Sequence, residues 1–269
     1  MGHVDQTPDS GAPDGDPQAD VEHLPGAVGG ALRIGRTVRR PTGPWTPAVH
    51  RLLGFLADEG LGGVPRVEGV DDQGREVLSY VEGRGVPVDD EVVLDTVLVE
   101  AVTWLRGYHD VVEGFRPDEP LRWRGTGEEP VLLQPDQVVC HHDPGAYNWV
   151  VQSGHFVAMI DWDMAGPGRP IDDLAFLVWT GIPLYRDIGA QETARRLDLV
   201  VEAYGEWGPV TLLDAVVERM TTASERIAAG IARGDAGIAN LQKVGEPQRT
   251  RDRVAAFRER VPAILDALP

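Results

Sequence analysis

The hydrophobic pattern of this chain breaks at Glu82-Gly83-Arg84-Gly85. Before that point the apolar residues come in short runs separated by turn residues. Ala31–Ile34 and Thr37–Arg40 flank Gly35, and runs at 64–70 and 75–81 flank Asp71-Asp72-Gln73-Gly74. Such runs predict strands joined by tight turns. One helix interrupts them, with Thr46 as its cap, Pro47 at its first position, an apolar face of Val49, Leu52, Leu53 and Leu56, and Gly60 to end it. After Gly85 the spacing becomes helical, apart from a loop expected over 116–136 and short strands and loops over 137–161. A long helix is expected over 89–108, with a stripe of Leu94, Val97, Leu98, Ala101, Leu105 and Tyr108. Further helices are expected over 172–180, 189–204, 209–233 and 248–267. The expected fold class is α+β: a sheet-rich lobe over 23–82 and a mainly helical lobe over 83–269, with a ligand cleft between them.

Composition narrows the partners. The 269 residues carry 43 acids against 25 Lys and Arg, a formal charge of −18. Nucleic acid is not an expected partner, because a phosphate backbone favours a basic face. A cationic small molecule suits an acidic cleft, although surface acids also serve solubility alone. Residues 1–22, rich in Asp, Pro and Gly, are expected to form a disordered acidic tail. No run approaches the length of a membrane span. The single cysteine, Cys140, allows no internal disulfide, and no leader pattern opens the chain. A cytoplasmic location is therefore expected. Nothing in the sequence sets an oligomeric state.

The chemistry concentrates in Cys140-His141-His142-Asp143-Pro144-Gly145-Ala146-Tyr147-Asn148. His141, Asp143 and Asn148 fit H-x-D-x-x-x-x-N, the spacing of a phosphoryl-transfer catalytic loop. A short hairpin, turning at Ser153-Gly154, separates this loop from Met159-Ile160-Asp161. A hairpin returns the chain to its start, so Asp161, 18 residues beyond Asp143, can face the same cleft. Transfer of a phosphoryl group needs a base beside the acceptor hydroxyl and cations on the phosphates. Asp143 suits the first task. Asn148 and Asp161 offer the hard oxygens that Mg²⁺ takes. His141 is better placed to orient the loop than to react. Each residue alone has a plainer use, since Asp before Pro-Gly is a common turn former and Asn a common strand-end residue. Their order and spacing together carry the reading.

In these residues the chain resembles the aminoglycoside phosphotransferase family of small-molecule kinases. The resemblance runs through Val139 to Val150, Ile160 to Gly168 and Asp172-Asp173-Leu174-Ala175, with Leu105 to Asp110 and Ser79-Tyr80-Val81-Glu82-Gly83 as further matches. It implies a protein-kinase-like two-lobed fold, ATP or GTP as donor, Mg²⁺, and a hydroxyl acceptor such as an aminoglycoside-like antibiotic. Another metabolite hydroxyl would use the same loop, and a kinase fold that binds without catalysis is the third alternative. The resemblance further implies Asp143 as base, Asn148 and Asp161 as metal ligands, and purine binding by the backbone of Ser79, Tyr80 and Val81. Asp173 becomes a structural acid supporting the loops.

The small lobe departs from that pattern. A kinase needs a cation on its third strand, usually a lysine paired to a helix glutamate. The one lysine here is Lys243, far along the chain. Arg39 or Arg40 must serve, and the strand alignment favours Arg39. The helix offers no mid-length Glu, and His50 is its nearest polar candidate. Gly26, Gly29 and Gly30 form a weak phosphate-loop signal, with Gly29 and Gly30 placed closest to the nucleotide.

Overall fold

A computed structural model describes residues 21–24, 30–126, 129–234 and 241–269. Five antiparallel strands form the first sheet: β1 (Val21–Leu24), β2 (Ala31–Ile34), β3 (Thr37–Pro41), β4 (Val67–Val70) and β5 (Arg75–Ser79), in the order β1-β2-β3-β5-β4. Most of the tail expected over 1–22 lies outside the described residues, but Val21 and Glu22 pair with Ile34 and Arg33. Composition placed them in the tail. Backbone pairing with a neighbouring strand, which composition does not register, draws them into the sheet.

Helix α1 (Thr46–Asp58) lies between β3 and β4 and buries Ala48, Val49, Leu52, Leu53 and Leu56, the face its spacing predicted. Thr46 does not cap it. Trp45 is the capping residue, and the Thr46 hydroxyl instead accepts the Gly43 N–H at 2.9 Å.

The chain then crosses to the helical body. Strand β6 (Arg84–Gly85) already belongs to that body, pairing with β8 (Trp149–Gln152), which pairs with β9 (His155–Met159). Gly83 makes this crossing possible. Its φ is +147°, and a Cβ there would meet Val150 Cγ1 at 2.5 Å and the Val151 carbonyl oxygen at 2.8 Å.

Helix α2 (Asp95–Val112) starts later than the spacing suggested, and Leu94 is an exposed N-cap rather than part of the stripe. The carbonyls of Val88, Asp89 and Glu91 accept hydrogen bonds from the Arg186 guanidinium instead of a helix turn. Strand β7 (Val138–Cys140) pairs with β10 (Gly166–Gly168), a Gly-Pro-Gly strand that no strand propensity would reveal. Helices α3 (Pro170–Gly181), α4 (Ala190–Tyr204), α5 (Pro209–Arg233) and α6 (Gln248–Asp266) follow in the body. Their bounds follow the periodicity within two residues. Gly26 and Gly29 lie outside the described residues. Gly30 is described, with φ +67° and open space around it. No helix among the described residues is long and apolar enough to cross a membrane.

Candidate active site

The loop between β7 and β8 is fixed by groups from four directions. Asp173, on α3, is fully buried, and its two oxygens accept the N–H groups of His141 and His142, each at 2.7 Å. His109 of α2 reaches the same carboxylate at 3.2 Å. Desolvation pushes the Asp173 carboxyl up, but the His109 hydrogen bond and the histidine rings outweigh it and hold the group down at about 2. The Ala146 N–H donates to Thr180 Oγ1 at 2.9 Å. The Trp149 indole donates to the Pro144 carbonyl at 3.0 Å. Arg219 of α5 donates to the His142 carbonyl at 2.6 Å. Every buried backbone group so satisfied removes a way for the loop to move.

His141 links this loop to the end of β9. Its Nδ1 accepts the Asp143 N–H at 3.2 Å, and its Nε2–H donates to the Ile160 carbonyl at 3.1 Å. Burial lowers the affinity of this ring for a second proton, so it serves as a neutral bracket. The Ile160 N–H returns to the Asn148 carbonyl at 2.9 Å. The hairpin of β8 and β9, turning at Ser153 (φ +53°) and Gly154 (φ +82°), thereby brings Asn148 and Asp161 to the same end.

Asp143 lies part-buried within this frame. Desolvation and the charge of Asp161 push its carboxyl up to about 7, against the pull of Tyr147 and Asn148. The Asn148 amide nitrogen donates to the Asp143 carbonyl at 2.9 Å and to its Oδ2 at 3.1 Å, which turns the amide oxygen to the other side. The Tyr147 hydroxyl donates to Asp143 Oδ1. Asp161 is half exposed and sits at φ +64°, ψ +67°, the left-handed region that a non-glycine residue rarely occupies.

The placement of the small-lobe cation is a correction. Successive strand residues face opposite sides, and Arg40 rather than Arg39 faces the cleft. Arg40 Nη1 contacts Asp161 Oδ1 at 2.9 Å, and its Nη2 contacts Asp163 Oδ1 at 2.7 Å. Arg39 pairs with Asp71 at 3.3 Å and donates to Thr37 Oγ1 on its own side of the strand. At the crossing, the Ser79 and Tyr80 N–H groups are taken by the carbonyls of Arg66 and Arg36, both at 2.8 Å. The Ser79 hydroxyl accepts the Arg66 N–H, and the Tyr80 ring lies under the Arg33 guanidinium at 3.8 Å. Of the three, Val81 keeps a backbone N–H without a partner among the described residues.

Glu76, Tyr147, Thr180 and Arg219 were not found from sequence. Only Tyr147 carried a signal, since it lies inside the loop motif. The other three meet the site from β5, α3 and α5, so nothing in their own neighbourhoods announces them.

Charge, hard oxygen ligands and a poised carboxylate at one end of a hairpin can bind a metal-bound phosphate and take a proton from a hydroxyl. The sequence profile of the phosphotransferase enzyme family matches residues 127–214, the segment holding Asp143, Asn148, Asp161 and Asp173. A trifolitoxin immunity protein from Rhizobium leguminosarum bv. trifolii is 34% identical over 187 residues, covering 64% of this chain and 69% of its own. An amicoumacin kinase, solved with AMP-PNP and Ca²⁺, superposes with a TM-score of 0.62 at 14% identity, over 91% of this chain and 88% of its own. A choline kinase from Cryptosporidium parvum gives 0.61 at 11% identity over 94% and 92%, and an aminoglycoside phosphotransferase from Streptomyces rimosus gives 0.53 at 18% over 74% and 91%. The two-lobed kinase fold and the shared sequence lead to one family: this chain belongs to the aminoglycoside phosphotransferase family, the protein-kinase-like kinases of small molecules.

Proposed function

We propose that this protein transfers the terminal phosphate of ATP or GTP to a hydroxyl of an antibiotic-class small molecule. The observation that carries the reading is the meeting of Asp143, Asn148 and Asp161 at one end of the β8–β9 hairpin, beside Arg40 from the sheet. Asp143 accepts the hydrogen bond of the acceptor hydroxyl and receives its proton as the phosphoryl group moves. Asn148 and Asp161 fit Mg²⁺, because both present hard oxygens and the Asn148 nitrogen is already committed to Asp143. When bound, the ion neutralises phosphate charge. Arg40 holds phosphate oxygens through its fork once its contact with Asp161 is exchanged for them. The Val81 N–H is the backbone donor available to a purine. Gly30 lends backbone to the phosphates.

The acceptor class rests on relatives: the immunity protein, the amicoumacin kinase and the aminoglycoside phosphotransferase concern toxins or antibiotics by name. Several acids that could meet an ammonium group already have partners within the chain. Asp163 pairs with Arg40 and Arg124, Asp172 and Glu218 with Arg169, and Glu206 with Arg106. The choline kinase neighbour keeps an amino alcohol as the second reading.

The test is nucleotide consumption with Mg²⁺ across aminoglycosides, amicoumacin-type antibiotics and amino alcohols. Turnover with an antibiotic supports the proposal. Turnover confined to amino alcohols moves the acceptor to the second reading. Nucleotide binding without any turnover would leave a binding protein.

A further inference from the structure

Resting on the kinase reading above, a second feature of the cleft concerns how its cation is aimed. Arg40 and Glu76 stand directly opposite each other in the β3–β5 ladder, so their side chains leave the sheet on one face. Glu76 Oε1 accepts from Arg40 Nε at 2.8 Å and lies 2.7 Å from Nη2. That engages one whole edge of the guanidinium and leaves Nη1 turned toward Asp161. The second Glu76 oxygen is 2.9 Å from His50 Nε2, on α1. An ionised carboxylate only accepts, so this nitrogen carries the hydrogen. Glu76 is 2% exposed. Burial opposes its charge, but His50 and Arg40 hold its carboxyl below the usual range.

We propose that Glu76 and His50 are the positioning residues for the phosphate-holding cation, with strand β5 supplying the acid and helix α1 gripping that acid through a histidine. In the usual kinase arrangement one glutamate on the helix does both tasks. Here the link from helix to cation runs through two residues, which accounts for a helix without a central glutamate. Arginine suits this arrangement, because it spends one edge on Glu76 and keeps Nη1, which here meets the half-exposed Asp161, to offer a phosphate once that contact is exchanged, whereas a lysine has a single point charge to share.

The test is calorimetric titration of the full chain with Mg²⁺ and AMP-PNP or GMP-PNP, whichever binds tighter, and with the matching nucleoside. The ratio of the two affinities isolates the phosphate contribution. In Glu76→Gln this ratio falls about tenfold, the scale of one charge-assisted hydrogen bond, while nucleoside affinity is unchanged. Arg40→Gln gives a similar fall, and the double variant falls no further, since the two act as one unit. His50→Leu loses about threefold and His50→Gln, which keeps an N–H donor, recovers it. Equal loss of nucleoside affinity in Glu76→Gln, or additive losses in the double variant, overturns the proposal. If Glu76→Gln does not fold, the His50 pair decides: an unchanged ratio in His50→Leu is the overturning result. A wild-type chain that binds neither nucleotide overturns the kinase reading itself, and this inference with it.

Discussion

In the proposed reaction Asp143 serves two ends that conflict. Catalysis wants its charge, and its surroundings penalise that charge, which is why its carboxyl rises to about 7. A base must be deprotonated, so kcat/KM should fall about tenfold per pH unit below pH ~7 and level off above it. A profile flat from pH 5 to 8 would remove Asp143 as the titrating base. A carboxyl raised on folding also makes the folded state less stable as pH rises from its unfolded value, about 4, to 7. Asp143→Asn should therefore lose turnover by at least ~10³-fold yet melt no lower than wild type at pH 8, measured by steady-state kinetics and calorimetry. The same scale explains the exchange of Arg39 for Arg40. Adjacent residues of one strand differ by which face they serve, and an alignment error of one residue inverts the answer. Composition and motif carry no record of the face. The pairing Arg40↔Glu76 does.

At the scale of elements, the site is a hairpin end braced by a helix start. Asp173 lies in the first turn of α3, where an acid is favoured, and supports two successive N–H groups of the loop. Asp173→Asn replaces one accepting oxygen by a donor and leaves a buried N–H unpaired, at a cost of about 3 kcal/mol in urea unfolding. The depressed carboxyl sets the sign with pH. Its stabilisation is full above the unfolded value, about 4, and is lost as pH falls through about 2. Acid titration followed by circular dichroism should show that loss in wild type and not in Asp173→Asn. Helices α3 to α6 were legible from spacing because each buries one continuous stripe, as with Leu197, Val200 and Tyr204 in α4. Strand β10 was not, since Gly166-Pro167-Gly168 is held by its neighbour β7 and by room. A Cβ on Gly168 would meet His142 Cε1 at 2.7 Å.

For the molecule as a whole, Arg40 is the ionic contact between the first sheet and the strand end carrying Asp161 and Asp163. A nucleotide bound in that cleft as proposed would touch both parts and stabilise them together. At a hundred times its dissociation constant it should add about 2.7 kcal/mol, or a rise of roughly 5–10 °C in Tm for a chain of this size. No shift with either ATP or GTP would contradict nucleotide binding. The local sequence determined helix α1, helices α3 to α6, the β2–β3 and β4–β5 hairpins, the break at Gly83-Arg84-Gly85, and the loop from His141 to Asn148 with Asp161 beyond its hairpin. Hydrophobic spacing and turn chemistry act over a few residues, so they are written in a few residues. Only the tertiary structure decided which arginine faces the cleft, that Glu76 and His50 grip it, and that Thr180 and Arg219 pin the loop. Those contacts join residues 26 to 123 positions apart, and burial and charge act through space, where separation along the chain has no bearing.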